Sequence, residues 1–313
     1  MSSARPAPPA AVRLVVGSFT FLLFATNTVV LCSFLYLVTL LKLAVPLAAW
    51  KRGVSRFLVA IGEAWIAVNT FCLRVTQPTV YDVRGLEGLR RDVSYLVVSN
   101  HLSEGDIPVL QGIFLRRLPF LRFFLKQQLI RVPVLGLAWW ALDFPFMKRH
   151  SREELEKNPA LRFEDLEATR RACEKFRHAP AAILNFVEGT RFTPAKHARG
   201  GAEYRHLLLP KAGGLAFAAS AMGAQLKGLV DVTIVYPYGA PTFWDVISRG
   251  LPEVVVRVRE RAIPEDWFKG DYAEDAAFRE GVQAWVRALF REKDEEIAAI
   301  LASRAPAAGP PVR

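Results

Sequence analysis

The order of apolar and polar positions splits the chain into a membrane-seeking front and an alternating remainder. No charged residue interrupts Leu14–Leu41. A helix of that length rises about 42 Å, at about 1.5 Å per residue, and exceeds the roughly 30 Å hydrocarbon core of a bilayer. The stretch predicts a tilted spanning helix or one arm of a bent, in-plane hairpin. It is too long for the apolar core of a secretory signal, and no small-x-small cleavage site follows it cleanly. From Val54 to Leu73 an apolar face is broken by Arg56, Glu63 and Asn69. That pattern predicts a second helix lying on the membrane or on the domain, with re-entrant pairing to the first left open.

Beyond Thr79 the period changes. Short β-branched runs at Thr79–Val83, Tyr95–Ser99, Leu142–Met147, Ala182–Val187, Leu229–Tyr236 and Glu253–Val258 read as strands. Between them, helices are predicted near Ile107–Leu115, Pro133–Ala141, Phe163–Arg177, Lys211–Met222 and Tyr272–Ala302, the last charged on its outer face. The alternation argues for an α/β fold, a mixed, largely parallel sheet flanked by helices, with an N-terminal membrane helix or helical hairpin. Residues 1–10 and 303–313 are rich in Pro, Ala and other small residues and read as disordered tails. This leaves 11–75 as membrane-anchoring helices and 76–302 as one α/β domain, with no internal repeat.

Composition sharpens the picture in three ways. Over half of the 313 residues are hydrophobic, 52%, enough for a large core with apolar surface left for a bilayer. The formal charge of +11 comes without a zinc-finger, basic-helix or RNA-binding motif, so anionic membrane lipid is the expected partner and nucleic acid is not. Arg5 and Arg13 precede the apolar stretch, whereas Lys42, Lys51, Arg52 and Arg56 follow it, a bias that places the domain in the cytoplasm. Cys32, Cys72 and Cys173 are scattered and odd in number, so neither a disulfide framework nor a metal ligand set is legible, and no cofactor is expected.

The chemistry concentrates at two strand ends. Asn100-His101-Leu102-Ser103-Glu104-Gly105-Asp106 follows the apolar run Tyr95–Val98 and sets an imidazole five residues from a carboxylate. A turn leading into a helix lets Asp106 hold one ring nitrogen while the other faces a hydroxyl. Alone, the spacing fits equally a surface histidine beside a capping Ser103 or Asp106. Glu188-Gly189-Thr190-Arg191 ends a second run with a glycine that admits close backbone approach and an arginine suited to phosphate. Alone, this too fits a solvated turn. Two such clusters after two strands predict one site.

Lys148-Arg149 and Lys211 add cations, the latter in Pro210-Lys211-Ala212-Gly213-Gly214, which opens a helix whose N-terminus attracts anions. Leu115–Val134 interleaves Arg116, Arg117, Arg122, Lys126 and Arg131 with apolar residues. It reads either as a headgroup-level segment or as a basic surface over a core helix. No Gly-x-Ser-x-Gly elbow occurs, which argues against a serine hydrolase.

These blocks resemble the glycerophospholipid (1-acyl-sn-glycerol-3-phosphate) acyltransferase family, in its bacterial membrane branch, over Val80–Val258. The resemblance rests on Asn100-His101-x4-Asp106, the Lys-Gln-Gln-Leu run at 126–129, Pro145-Phe146-Met147-Lys148-Arg149 and Phe186–Thr193, with Val232–Pro237 similar to a fourth motif. It implies that His101, oriented by Asp106, deprotonates an acceptor hydroxyl that attacks an acyl thioester, with no acyl-enzyme. Arg149 and Arg191 are implied as phosphate ligands and Glu188 as holding acceptor or arginine, with Gly189 and Thr190 in the same motif; Lys211, read from its place before a helix, joins them as a candidate substrate-binding residue.

The implied donor is acyl-CoA or acyl-carrier protein and the implied acceptor the sn-2 hydroxyl of lysophosphatidate, giving phosphatidate. Another lysophospholipid acceptor is the alternative, and a non-catalytic scaffold the rival class. The implied location is the bacterial inner membrane. Two residues depart from the family pattern, Asp143 where many members have glycine and Glu104 where close members carry tryptophan.

Overall fold

Two long helices lead the chain in the computed structural model, which describes residues 8–147, 173, 176, 179–200, 203–272 and 274–304. Helix α1 is Ala10–Ala44 and helix α2 is Ala48–Thr76. Between them Pro46 removes a helical N–H and pushes Val45 into extended backbone, so the chain reverses over three residues. The two arms pack as a hairpin. Its seam carries polar contacts: Asn27 Nδ2 donates to Trp65 O (3.0 Å) and Asn69 Oδ1 (2.8 Å), and Trp65 Nε1 donates to Thr28 Oγ1 (3.0 Å). Asn69 therefore breaks the apolar face of α2 because it faces α1. Glu63 breaks it because it pairs with Arg91 at 2.6 Å.

Both arms are long and apolar enough to cross a membrane by length and composition. Leu22, Phe34, Leu40, Phe57 and Phe71 each expose more than half of their surface. Such a contiguous apolar array suits lipid better than water. The hairpin also lies against the rest of the chain. Arg13, at the start of α1, pairs with Asp245, and Tyr36 Oη donates to Val134 O near its other end.

The sheet is six-stranded, in the order β1 (Val80–Arg84), β8 (Glu253–Arg261), β7 (Leu226–Val235), β2 (Ser94–Ser99), β6 (Ala182–Phe186), β3 (Leu121–Phe123). Every pairing is parallel except β7 with β8. This is the mixed, largely parallel sheet expected from the sequence. All six residues of β2 are buried, as a central strand covered on both faces requires. Tyr95 and Val97 point into a core shared with Leu58 and Ile66 of the hairpin and with α3 (Asp106–Phe114). Leu96 and Val98 point the other way, toward α6 (Gly213–Met222) and α8 (Ala276–Arg304).

Helix α4 (Leu135–Ala141) packs on α1, and short helices α5 (Pro194–Arg199) and α7 (Phe243–Ile247) follow β6 and β7. A separate ribbon pairs β4 (Leu125–Lys126) with β5 (Phe146–Met147).

The differences from expectation have local causes. The strand expected at Leu142–Met147 shrinks to β5, because Pro145 has no N–H to give a ladder and Asp143 sits at φ 62°. Strand β3 lies inside the segment read as a basic surface. Its Arg122 is buried, donating through Nε to Leu142 O (2.8 Å) and stacking between Phe120 and Phe176. Burial lowers its pKa to about 10. Arg122 is therefore no headgroup ligand, whereas Arg116, Arg117, Lys126 and Arg131 are exposed.

Helix α8, expected to be charged outward, also turns two charges inward. Lys293 Nζ bonds Asp231 Oδ1 (2.6 Å), Val232 O (2.7 Å) and Thr233 Oγ1 (3.1 Å), fastening α8 to β7. The helix expected at Phe163–Arg177 lies, apart from Cys173 and Phe176, outside the described residues.

Candidate active site

Ser99 of β2 stands opposite Phe186 of β6 and Val232 of β7, all running parallel. The three chains therefore leave the sheet at one edge, where parallel sheets usually place ligands. Two residues past Ser99 is His101, two past Phe186 is Glu188, and one past the end of β7 is Tyr236. Both polar clusters read from the sequence come together here.

Asn100 first ties the edge shut. Its amide donates to Ile234 O and accepts from Ile234 N, both at 2.9 Å, extending the β2–β7 pairing by one step. His101 then turns toward α3, and its Nδ1 lies 2.7 Å from Asp106 Oδ2. The same oxygen accepts from Leu102 N (2.7 Å) and Ser103 N (3.0 Å), while Oδ1 accepts from Tyr236 Oη (2.7 Å). Four donors thus fix a carboxylate with no exposed surface.

With Asp106 accepting, Nδ1 carries the proton and Nε2 is left with its lone pair free, without a partner among the described residues. Phe186 stacks on the imidazole at 4.0 Å and 16°, setting the ring plane. Burial raises the pKa of Tyr236 well above the ordinary tyrosine value, and Asp106 adds to it, so this donor keeps its proton.

Gly105 sits where α3 begins, and a Cβ there would lie 2.7 Å from Val246 Cγ2 of α7. The side chain of Ser103 braces the same turn, donating to Pro241 O and accepting from Gly105 N at 2.8 Å.

Glu188 braces backbone. Its Oε1 accepts from His101 N and its Oε2 from Leu208 N, both at 2.8 Å. Neither bond involves Arg191. Burial pushes its pKa up to about 7, opposed by the two N–H donors. The loop that supplies Leu208 is held in turn by Asp294 of α8, which accepts from Arg205 N (2.8 Å) and His206 N (2.7 Å).

Gly189 adopts φ 70°, a left-handed turn that costs glycine nothing. Beyond it, Arg191 pairs with Glu104, so the carboxylate that replaces the family's tryptophan meets the arginine of the other cluster. Lys196, unremarked in the sequence, donates to Thr190 Oγ1 (2.7 Å) and Arg191 O (3.0 Å), within α5 capped by Thr193. The exposed Lys211 joins Glu188, Thr190 and Lys196 around a cavity of about 190 Å³. Its helix starts only at Gly213, two residues later than expected. Arg149 and Lys148 lie outside the described residues.

Among the described residues no three of His, Cys, Asp and Glu are grouped to hold a metal ion. The site brings together a histidine base, its orienting carboxylate and nearby cations. Sequence reasoning missed Lys196, and it met Asn100 and Tyr236 only as parts of motifs, without a role in this site. Tyr236 stood within the fourth motif, but nothing local says that it meets a residue 130 positions away.

The family model described as Acyltransferase matches residues 80–237, from β1 to just past β7. The chain belongs to the acyltransferase family. Its histidine and aspartate thus sit at the strand edge of a family domain that covers half of the chain. The chain is 25% identical over 265 residues to "Lysocardiolipin acyltransferase 1" of Mus musculus, covering 80% of this chain and 64% of that protein. It is 28% identical over 257 residues to "1-acyl-sn-glycerol-3-phosphate acyltransferase delta" of Bos taurus, covering 77% and 60%. The chain thus spans about three fifths of the length of these curated relatives.

In fold it is similar to the 1-acyl-sn-glycerophosphate (LPA) acyltransferase PlsC of Thermotoga maritima. The TM-score is 0.52 at 20% identity, over 90% of this chain and 98% of that one.

Proposed function

We propose that this chain transfers a fatty acyl group from a thioester, acyl-CoA or acyl-carrier protein, to the sn-2 hydroxyl of lysophosphatidate, forming phosphatidate. The observation that carries the reading is the His101–Asp106 pair at the strand edge, with Nε2 left as the free base. As the acceptor oxygen attacks the thioester carbonyl, Nε2 takes its proton. Asp106 stabilises the imidazolium that forms, collapse of the tetrahedral adduct breaks the C–S bond, and the departing thiolate receives the proton. No acyl-enzyme is needed. Arg191, Lys196 and Lys211 supply positive charge near Glu188 and Thr190 where an acceptor phosphate would rest, with Arg149 proposed as a further ligand.

The apolar hairpin and the cations that follow α1 support a membrane protein whose domain faces the cytoplasm, in a bacterial inner membrane. A second reading keeps the reaction and changes the acceptor to another lysophospholipid. Similarity to a protein named as a lysocardiolipin acyltransferase favours it.

Thiol release from acyl-CoA by detergent-purified protein tests both, with lysophosphatidate set against lysophosphatidylglycerol. His101→Ala is expected to lower kcat by about 10²–10⁴-fold. Turnover that survives this change would remove the base mechanism. A preference for lysophosphatidylglycerol would select the second reading.

A further inference from the structure

Between α2, α3 and β1 runs a groove of about 640 Å³ with Phe71, Val109 and Ile113 among its apolar lining residues and Arg74, Arg116 and Arg117 as its cations. None of residues 101–106 lines it. Its wall on helix α3 runs from Pro108, two residues past Asp106, to the far end of the helix, where its cations Arg116 and Arg117 lie.

The three arginines are exposed and none pairs with a carboxylate among the described residues. Elsewhere the domain commonly neutralises its arginines: Arg84, Arg90, Arg91, Arg257, Arg259, Arg261 and Arg304 each have an acidic partner. Among the described residues no aspartate or glutamate lines the groove, so it offers no carboxylate for the ammonium of a zwitterionic headgroup. Arg116 also sits at φ 60°, in the left-handed region that non-glycine residues rarely adopt. On α2 the wall continues outward into Phe71 and Val75, 66% and 65% exposed, which belong to the apolar surface of the hairpin.

We infer that this groove binds one anionic phospholipid of the membrane at a site separate from the candidate active site. A tail lies along the apolar floor and the phosphate meets the guanidinium groups, whose planar donors match its oxygens. The occupant reaches the groove laterally from the bilayer because its wall is continuous with the lipid-facing surface of α2. Net-negative headgroups are selected by the cations and by the lack of any carboxylate.

The test counts lipid retained by full-length protein in detergent by native mass spectrometry, with phosphatidylglycerol, phosphatidylcholine and glycerol 3-phosphate as probes. One phosphatidylglycerol is expected to be held about 10-fold more tightly than phosphatidylcholine, a ratio equivalent to about 1.4 kcal/mol. The triple variant R74Q/R116Q/R117Q should lose that preference. A charge-matched control on the same hairpin, K51Q/R52Q/R56Q, should keep it, and Ile113→Trp, which plugs the floor, should lose the tightly held lipid.

Preference retained in the first variant, or lost equally in the control, overturns the site. Glycerol 3-phosphate held as tightly as phosphatidylglycerol overturns its assignment to lipid. The substituted arginines are surface residues outside the proposed acyl-transfer machinery, and the readout is binding, so the outcome does not depend on turnover.

Discussion

Asp106 accepts from four donors while fully buried, so each donor can be removed by a substitution whose cost is foreseeable. Tyr236→Phe deletes the phenolic donor and leaves Oδ1 buried without its partner. The expected loss is about 1–3 kcal/mol of stability, read as a lowered thermal midpoint in detergent, together with a fall in kcat as the imidazole loses its fixed orientation. An unchanged midpoint would mean that Tyr236 contributes nothing to the carboxylate.

Glu188 makes a prediction in pH. Its pKa rises from 4.5 to about 7 on folding, because burial disfavours the charged carboxylate. The folded chain therefore holds a proton that the unfolded chain has released. This group's stabilisation is fully present below about pH 4.5 and is lost as pH rises to about 7. Glu188→Gln should flatten that part of the stability profile, and a slope that persists in the variant counts against Glu188 as its source.

At this scale the sequence was legible where partners are close along the chain, as His101 and Asp106 are. It was silent where they are distant. Asn100 meets Ile234, and Tyr236 meets Asp106, only because β2 and β7 are neighbours.

At the scale of elements, the start of α3 is set by how closely α7 approaches it. Gly105→Ala would bring a Cβ to 2.7 Å from Val246 Cγ2, so α7 must shift or α3 must start differently. We expect a destabilisation of about 1–3 kcal/mol and a larger proportional loss of kcat than of acceptor affinity, since Asp106 is the next residue. Steady-state kinetics with varied acceptor separates the two effects, and an intact kcat would show that the turn tolerates the methyl group.

Short β-branched runs and the helices between them were readable in β1, β2, β6, β7, β8, α3, α6 and α8, each five or more residues long. Strand β3 was not readable. It is three residues long with an arginine at its centre, and only distant partners, the stacked Phe176 and the carbonyl of Leu142, explain with Phe120 why that arginine is buried. The extent of α2 was underestimated because its two ends carry the exposed Lys51, Arg52 and Arg74 and so lack the apolar face that marks Val54–Leu73.

At the scale of the whole molecule, the hairpin touches the domain near both ends of α1, through Arg13 and through Tyr36. Those contacts are about 34 Å apart along the helix, at about 1.5 Å per residue. An α1 that spanned the bilayer would have to take one of them out of reach. The hairpin is thus expected to lie in one leaflet with its ends and its 45–47 turn on the same side. Cysteines introduced at Ala10 and Val45 should both react with an impermeant maleimide from one face of sealed vesicles. The native cysteines are buried and free. Labelling from opposite faces would mean that α1 crosses the membrane.

The tie between Asp294 and the loop carrying Leu208 also has a consequence in time. Glu188 steadies the backbone of His101 through a loop that α8 holds in place, and α8 is the last helix described. During synthesis the strand edge, the dyad and the cations all leave the ribosome well before residue 294. A nascent chain would therefore hold every proposed reacting group and still lack the brace that sets them, so competence for acyl transfer should arrive late, as α8 docks.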